Sequence, residues 1–289
     1  YLKVAFRNLI KYKTQSLVSI IGLAVGFTCF ALSVLWIRYE MTYDNFHEGA
    51  DRIYLVRAHY ANEPGTSKFT PYPLMKYLQD KMPEIEAVTA FTAHYVKFRM
   101  EDTEQEIGMI AADSVFMNFF DIQLLKGTVN FLKCDGQEVA ITKEFAKRLF
   151  SKEEDALGKE VEVGRRVCKI GAIVSGWSNH SNIPYNILAP ARHSPQWGSS
   201  NEQLLIRVRE RTDIDAFRTK MSTVCINDIE KESELSDLLI TRMSALRYSD
   251  YVDKADVVIS FSYIFYFSLA GGLVIICSVS YTHLTLPTN

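Results

Sequence analysis

Residues 17–37, LVSIIGLAVGFTCFALSVLWI, form an apolar run without a formal charge, and the uncharged stretch already begins at Thr14. A second such run, VVISFSYIFYFSLAGGLVIICSV, occupies residues 257–279. Helices of about 20 residues span roughly 30 Å, the hydrocarbon thickness of a bilayer. A charge at the centre of such a helix costs roughly 2.5–3.5 kcal/mol, so two uncharged runs predict two transmembrane helices. The alternative is a signal peptide plus one buried core helix, but signal-peptide apolar regions measure only about 7–15 residues.

The charges around the first run predict its orientation. Four basic residues and no acidic residue precede it, whereas several acidic residues follow it: Lys3, Arg7, Lys11 and Lys13 come before, and Glu40, Asp44, Glu48 and Asp51 come after. Basic flanks stay in the cytoplasm. We therefore expect a cytoplasmic N-terminus and an outside domain at residues 38–256, which would be periplasmic in an envelope with two membranes.

Residues 1–16 combine apolar residues at helical spacing with the four basic residues, a pattern typical of an amphipathic helix at the membrane interface. The alternative is an ordinary positive flank. Within the first run, Gly22 and Gly26 form a G-x-x-x-G pair that predicts close helix–helix packing. Neither run contains Asp, Glu, Lys, Arg or His, so no proton relay is indicated.

The region between the runs mixes patterns of both secondary structures, and we expect an α+β domain. The predicted strands are residues 52–60, 87–91, 96–100, 138–141, 160–163, 167–174 and 204–208. The predicted helices are residues 72–81, 143–150 and 213–229, with a short helix and turn at 115–125. Residues 175–200 contain three prolines and predict surface loops or an inserted subdomain.

Motifs of catalysis are missing from the sequence. It has no P-loop, no G-x-S-x-G and no H-E-x-x-H, and its six histidines are scattered singly. We expect no catalytic, cofactor-binding or metal-binding residue. Asn179-His180-Ser181 fits a glycosylation triplet, a match near chance. A disulfide among Cys134, Cys168 and Cys225 stays open, and the net charge of −2 argues against nucleic acid.

Several short motifs carry a family resemblance in combination. They are residues 5–13 (AFRNLIKYK), 21–26 (IGLAVG), 40–47 (EMTYDNFH), 83–86 (PEIE), 119–127 (FFDIQLLKG), 139–150 (VAITKEFAKRLF) and 157–159 (LGK). Over residues 1 to about 279, the chain resembles ABC-transporter permeases of the MacB/FtsX type.

The resemblance implies a membrane protein with two transmembrane helices flanking an α+β periplasmic domain. Its porter-like βαβ part would lie at residues 48–120 and 201–251, with an inserted, mostly β subdomain at 121–200. Such permeases have four transmembrane helices, dimerise and work with a separate or fused ATPase, and some use a periplasmic adaptor. The chain starts at Tyr1 and ends near its second run, so we expect part of a permease. Residues 280–289 resemble translated adaptor sequence, and we expect them to be a non-native tail.

We therefore expect the permease subunit of an ABC transporter in the inner membrane. A partner ATPase would drive its periplasmic conformational change for export or extraction of an envelope substrate. One alternative is a membrane sensor with a ligand-binding ectodomain. Another is a transport-inactive regulator of cell-wall hydrolases. Fold alone does not decide the substrate.

Overall fold

The computed structural model describes residues 7, 10–61, 65–101, 103–133, 137–177, 179–229, 234–248, 266–267 and 269–274. Its contacts divide the chain into two units, which we treat separately. Residues 1–42 with 259–289 are called the helical unit, and residues 43–258 are called the sheet unit.

One long helix dominates the helical unit. Helix α1, Lys13–Glu40, has 28 residues and is therefore about 42 Å long. Large apolar side chains along it are exposed, including Phe27 at 67% and Leu35 at 63%. Ile20–Glu40 is long and apolar enough to cross a membrane, and no other helix in the described ranges meets that test. The first predicted span is thus present as a candidate membrane helix.

The second predicted span, residues 257–279, lies mostly outside the described residues. Its described part, residues 266–267 and 269–274, is helical. A Cβ built on Gly271 would lie 2.9 Å from the Oγ of Ser33 in α1, so the two helical segments meet where only a small residue fits. The rings of Trp36 and Phe267 lie 5.7 Å apart. Approach at small residues is typical of membrane helices.

The described part of the sheet unit contains 11 strands in one connected sheet. The elements run in the order β1 Ile53–Tyr60, β2 Thr70–Pro71, α2 Pro73–Lys81, β3 Ile85–Met100, β4 Thr103–Ala112, α3 Ser114–Phe119, β5 Leu124–Gly127, β6 Glu138–Thr142, α4 Lys143–Leu149, β7 Glu160–Val163, β8 Arg166–Val174, β9 Ile187–Pro190, β10 Ser200–Val208, α5 Ile214–Ile229 and β11 Leu235–Arg242.

Four strands and two helices build the first core. The strand order is β11-β1-β10-β3, and all three pairings are antiparallel. With α2 and α5 as crossovers, this is the split βαβ arrangement. Leu74 and Leu78 of α2, one helical turn apart, are fully buried with Phe217 and Met221 of α5. Central strand β1 buries residues on both faces, and its sequence is accordingly an almost continuous apolar run.

Six strands close into a barrel beside this core. β3 pairs with β4, β4 with β9, β9 with β6, β6 with β8, β8 with β7, and β7 returns to β3. The interior is filled by apolar side chains that are at most 2% exposed: Phe98, Ile107, Ile141, Ile170 and Ile187. Helix α4 closes one end, where the Phe145 ring lies 5.1 Å from that of Phe98.

Long strand β3 belongs to both assemblies. Its residues Ile85 to Phe91 pair with β10 of the first core, and Phe91 to Met100 pair with β4 of the barrel. A further cluster of buried side chains, including Leu55, Phe116 and Leu188, fills the other face of the connected sheet.

The mixed α and β prediction is confirmed, as are the predicted strands and the three longer helices, to within a few residues. Residues 87–91 and 96–100, predicted as two strands, form the single strand β3. The loop prediction for 175–200 is wrong at β9, which pairs with β4 and β6 inside the barrel wall. Strands β2, β4, β5 and β11 were not predicted, and β5 begins inside the helix and turn predicted at 115–125.

Candidate functional site

A buried carboxylate lies just beyond the end of α1. Asp44 is fully buried and has a left-handed backbone, with φ of 58°. Its carboxylate accepts hydrogen bonds from the Ser181 hydroxyl at 2.5 Å, from the Asn182 backbone N–H at 3.0 Å and from the Asn182 side-chain amide at 2.5 Å. Burial raises the pKa of Asp44, while the donors at Ser181 and Asn182 oppose that rise.

The Asn182 amide has a second acceptor. Its Nδ2 also donates to the backbone carbonyl of Met243 at 3.1 Å. Met243 is fully buried and begins the 3-10 helix Met243–Tyr248, the last described element before residue 257. One side chain therefore connects the segment that follows the first predicted span to the segment that precedes the second. We call Asp44, Ser181, Asn182 and Met243 the joint.

An aromatic cage surrounds His47, the last residue of the motif at residues 40–47. Its ring lies 4.2 Å from Phe46, 4.7 Å from Phe120 and 4.9 Å from Trp177 between ring centroids. Its Nε2 is buried without a hydrogen-bond partner in the described chain. Burial, and to a smaller extent the positive charge of Arg207, lowers the pKa of His47 to about 4. The cage therefore holds a neutral ring at neutral pH.

We expect the sheet unit to lose stability between about pH 6.5 and pH 4 through His47. The folded chain keeps this ring neutral down to about pH 4, whereas the unfolded chain protonates it near 6.5. Stability from the neutral ring is complete above the upper value and is lost as pH falls, up to about 3 kcal/mol. His47→Phe should flatten this part of the profile in urea unfolding of the full chain. His59→Phe serves as the control, and an unchanged slope in His47→Phe would contradict the assignment.

The irregular segment that carries Ser181 and Asn182 is itself held in place. Trp177 donates from Nε1 to the Ile183 carbonyl at 3.1 Å, and the Tyr185 hydroxyl donates to the Ser175 carbonyl at 2.8 Å. The rings of Trp177 and Tyr185 lie 4.6 Å apart, edge to face. The joint is thus built on a loop fixed at both ends, which favours a defined geometry over a mobile one.

The residues singled out in the sequence lie elsewhere. Arg7 and Lys11 are helical and exposed, and Lys13 begins α1, also exposed. Lys3 lies outside the described residues. Gly26 is buried within the helical unit and Gly22 is partly buried. Their proposed roles at the membrane interface and in helix packing stay predictions.

Cys168 is buried and forms no disulfide with another described residue. Cys134 lies outside the described residues, as does the side chain of Cys225. Among the residues that are described, no group of three or more His, Cys, Asp or Glu side chains is arranged to hold a metal ion.

Sequence reasoning found one half of the joint and missed the other. Asp44 and His47 belong to the motif at residues 40–47, whereas Ser181 belongs only to a glycosylation triplet and Asn182 to no motif. Because 137 positions separate Asp44 from Ser181, no local pattern links them. Asn182 directly follows that triplet. The polar run at residues 179–182, in a loop that also carries Trp177, is the sequence signal that could have pointed to this part of the joint.

A family model and solved structures are similar to this chain. The sequence profile of the MacB-like periplasmic core domain matches residues 16–224. A domain of a protein described as a permease, from Porphyromonas gingivalis, is 19% identical, with a TM-score of 0.54 over 68% of this chain and 92% of that chain. A search of curated proteins finds no match.

Two further solved structures are similar at lower scores. The extracellular domain of the noncanonic ABC-type transporter YknZ from Gram-positive bacteria is 14% identical, with a TM-score of 0.47 over 65% of this chain and 99% of that chain. The periplasmic region of MacB from Actinobacillus actinomycetemcomitans is 13% identical, with a TM-score of 0.48 over 68% and 92%.

Proposed function

Because this chain belongs to the MacB-like periplasmic core domain family of ABC-type transporter permeases, we propose that it couples a partner ATPase to movement of its periplasmic domain. That movement would serve the export or extraction of an envelope substrate. We also propose that residues 48–120 and 201–251 are the porter-like part and residues 121–200 the inserted part. The first core lies mainly in the former, and the barrel takes β6, β7, β8 and β9 from the latter.

The observation that carries this proposal is the bridge made by Asn182. Its amide holds the Asp44 carboxylate at 2.5 Å and the Met243 carbonyl at 3.1 Å. Asp44 follows α1 by four residues, and Met243 begins the last described element ahead of the second predicted span. A shift of either connection therefore pulls on the same side chain.

The chemistry of the joint suits transmission of force. Hydrogen bonds to an ionised group contribute about 1.5–3 kcal/mol each, roughly twice the value for neutral pairs. A buried, satisfied network also resists partial opening, because each broken bond leaves a polar group without water. Small movements of the connections would then be passed into the sheet unit instead of being absorbed by local bending.

The remaining parts of the proposal follow from the family. We propose an inner-membrane, multi-pass protein with a cytoplasmic N-terminus and a periplasmic sheet unit. It would act as a homodimer or heterodimer with an ABC ATPase, with or without a periplasmic adaptor. Lys3, Arg7, Lys11 and Lys13 would hold the N-terminal helix against anionic headgroups or near the ATPase.

Hydrogen exchange can test the coupling directly. The full chain is reconstituted in lipid nanodiscs with the ATPase that co-purifies with it, and amide exchange is measured by mass spectrometry with and without ATP. We expect ATP to change exchange in residues 180–183 and 243–248. In Asn182→Ala the change in the second segment should disappear, while ATP hydrolysis continues, because the bridge to Met243 is lost.

The matched control is Asn179→Ala, which removes an exposed amide from the same loop. Asn179→Ala should keep the ATP-dependent change in amide exchange at residues 243–248. The proposal fails if no ATPase co-purifies with the chain, or if ATP leaves exchange in the sheet unit of the unmodified protein unaltered.

A further inference from the structure

The end of the barrel opposite α4 is an open mouth. Towards this end the inward positions are occupied by His94 of β3, Met109 of β4, Val139 of β6 and Cys168 of β8. Together with neighbouring side chains they line a cavity of about 370 Å³. Small-molecule pockets measure roughly 300–1,000 Å³ and are often found in the mouths of β-barrels.

Small residues create this space. The inward positions at the mouth include Ala111 of β4 and Ala189 of β9. Deeper in the same two strands, the inward positions are Ile107, two inward steps from Ala111, and Ile187, one inward step from Ala189. Both are at most 2% exposed and fill the interior. The barrel is therefore packed at its closed end and hollow at the mouth, with an apolar floor between.

The rim of the mouth is basic. Arg165 and Arg166 lie at the turn between β7 and β8, and Arg192 follows β9. No Asp or Glu is found among the described residues that line the cavity. Within the described ranges, Arg165 and Arg166 form no ion pair with a carboxylate, although many other basic side chains of the unit do. Burial lowers the pKa of His94, so the ring on the wall is neutral at neutral pH.

We propose that the barrel mouth binds a single-chain anionic amphiphile, with its hydrocarbon chain on the apolar floor and its anionic group against Arg165 and Arg166. An arginine guanidinium pairs well with a carboxylate or phosphate because its donors form a planar fork. A small inorganic anion would leave the floor around Met109 and Val139 uncovered. A neutral hydrocarbon would leave the basic rim without a partner. The site does not depend on ATPase coupling, and its loss would leave the proposed function standing.

Photolabelling can locate the ligand on the intact protein. The probe is dodecanoate with a diazirine near its methyl end, added to the full chain in nanodiscs of zwitterionic lipid. Adducts are mapped by mass spectrometry, so probe dissolved in the lipid does not count as binding. We expect adducts at Met109, Val139 or Cys168. The alcohol with the same chain and diazirine is the neutral comparison, and it should label these residues about tenfold less, the loss of one charge-assisted contact.

Two variants separate binding from folding. Arg165→Glu/Arg166→Glu reverses charge at an exposed turn and should lower acid labelling about tenfold without altering the unfolding midpoint. Its control, Lys76→Glu/Arg218→Glu, makes the same change in net charge on two exposed helical positions of the first core. Ala189→Phe fills the mouth and should abolish labelling by both probes.

Three results would overturn the proposal. The acid and the alcohol could label the mouth equally, which would show a recess without anion recognition. The acid could label only sites outside the mouth. Finally, a co-purified protein could occupy the mouth and be displaced by neither probe, which would make the site a protein interface.

Discussion

Replacing Asp44 by alanine is expected to lower the free energy of unfolding of the sheet unit by about 3 kcal/mol. The substitution removes three hydrogen bonds to the carboxylate and leaves the Asn182 amide without one of its two acceptors. Buried donors that lose their acceptors cost about 1–3 kcal/mol. Alanine at a φ of 58° adds about 1–2 kcal/mol. Burial of the charged carboxylate is itself unfavourable, as its raised pKa indicates, so removing it offsets part of the loss in free energy of unfolding.

Pulse proteolysis of the full chain in urea measures this change. The free energy of unfolding of Asp44→Asn should lie between those of the unmodified protein and Asp44→Ala, because asparagine keeps an acceptor oxygen and tolerates the left-handed backbone. Asp80→Ala, at an exposed position of α2, should lie within about 0.5 kcal/mol of the unmodified protein. If Asp44→Ala and Asp80→Ala unfold at the same urea concentration, Asp44 does not hold the joint together.

Asn182→Asp should be at least as damaging at neutral pH and should recover in acid. The substitution places a second carboxylate 2.5 Å from that of Asp44 and removes the donor to Met243. Two carboxylates at this distance cannot both ionise, so one must take up a proton. We expect a loss of about 3–4 kcal/mol at neutral pH, which becomes smaller as pH falls and one carboxyl donates to the other.

The gain in stability expected for Asn182→Asp as pH falls is opposite in sign to the loss expected from His47. Stability is therefore best measured in the His47→Phe background. Asn179→Asp is the matched control, because it makes the same chemical change at an exposed position of the same loop. It should show neither the loss nor the recovery. Stability of Asn182→Asp that falls further in acid would exclude a shared proton at the joint.

The sequence predicted the elements whose signals are local. Strand β1 follows from the alternation of apolar and polar residues at 52–60, and helix α2 follows from its place between Pro71 and Pro83. The β7–β8 hairpin follows from its glycine-containing turn, where Gly164 has a φ of 64°. Helix α4 is capped by Thr142, whose hydroxyl accepts from the Phe145 N–H.

The missed strands depend on distant partners. In β4, Gly108 interrupts the apolar alternation, and the fold requires it there because a Cβ would lie 2.4 Å from the Pro184 carbonyl oxygen. Strand β9 is only four residues long and ends in Pro190, so it reads as a loop until the barrel closes around it. The joint could not be predicted for the same reason, because it consists of hydrogen bonds between segments that are far apart in the chain.

Strand β3 has a thermodynamic consequence for the sheet unit. Its 16 residues, about 53 Å when extended, pair with β10 at one end and with β4 at the other, so the two assemblies share one continuous strand. Unfolding of either assembly would leave half of that strand without its partner. We therefore expect a single calorimetric transition for the whole body, with equal van't Hoff and measured enthalpies. Insertions on either side of β3 should be tolerated, whereas a proline within β3 should lower the unfolding temperature of the first core and the barrel together.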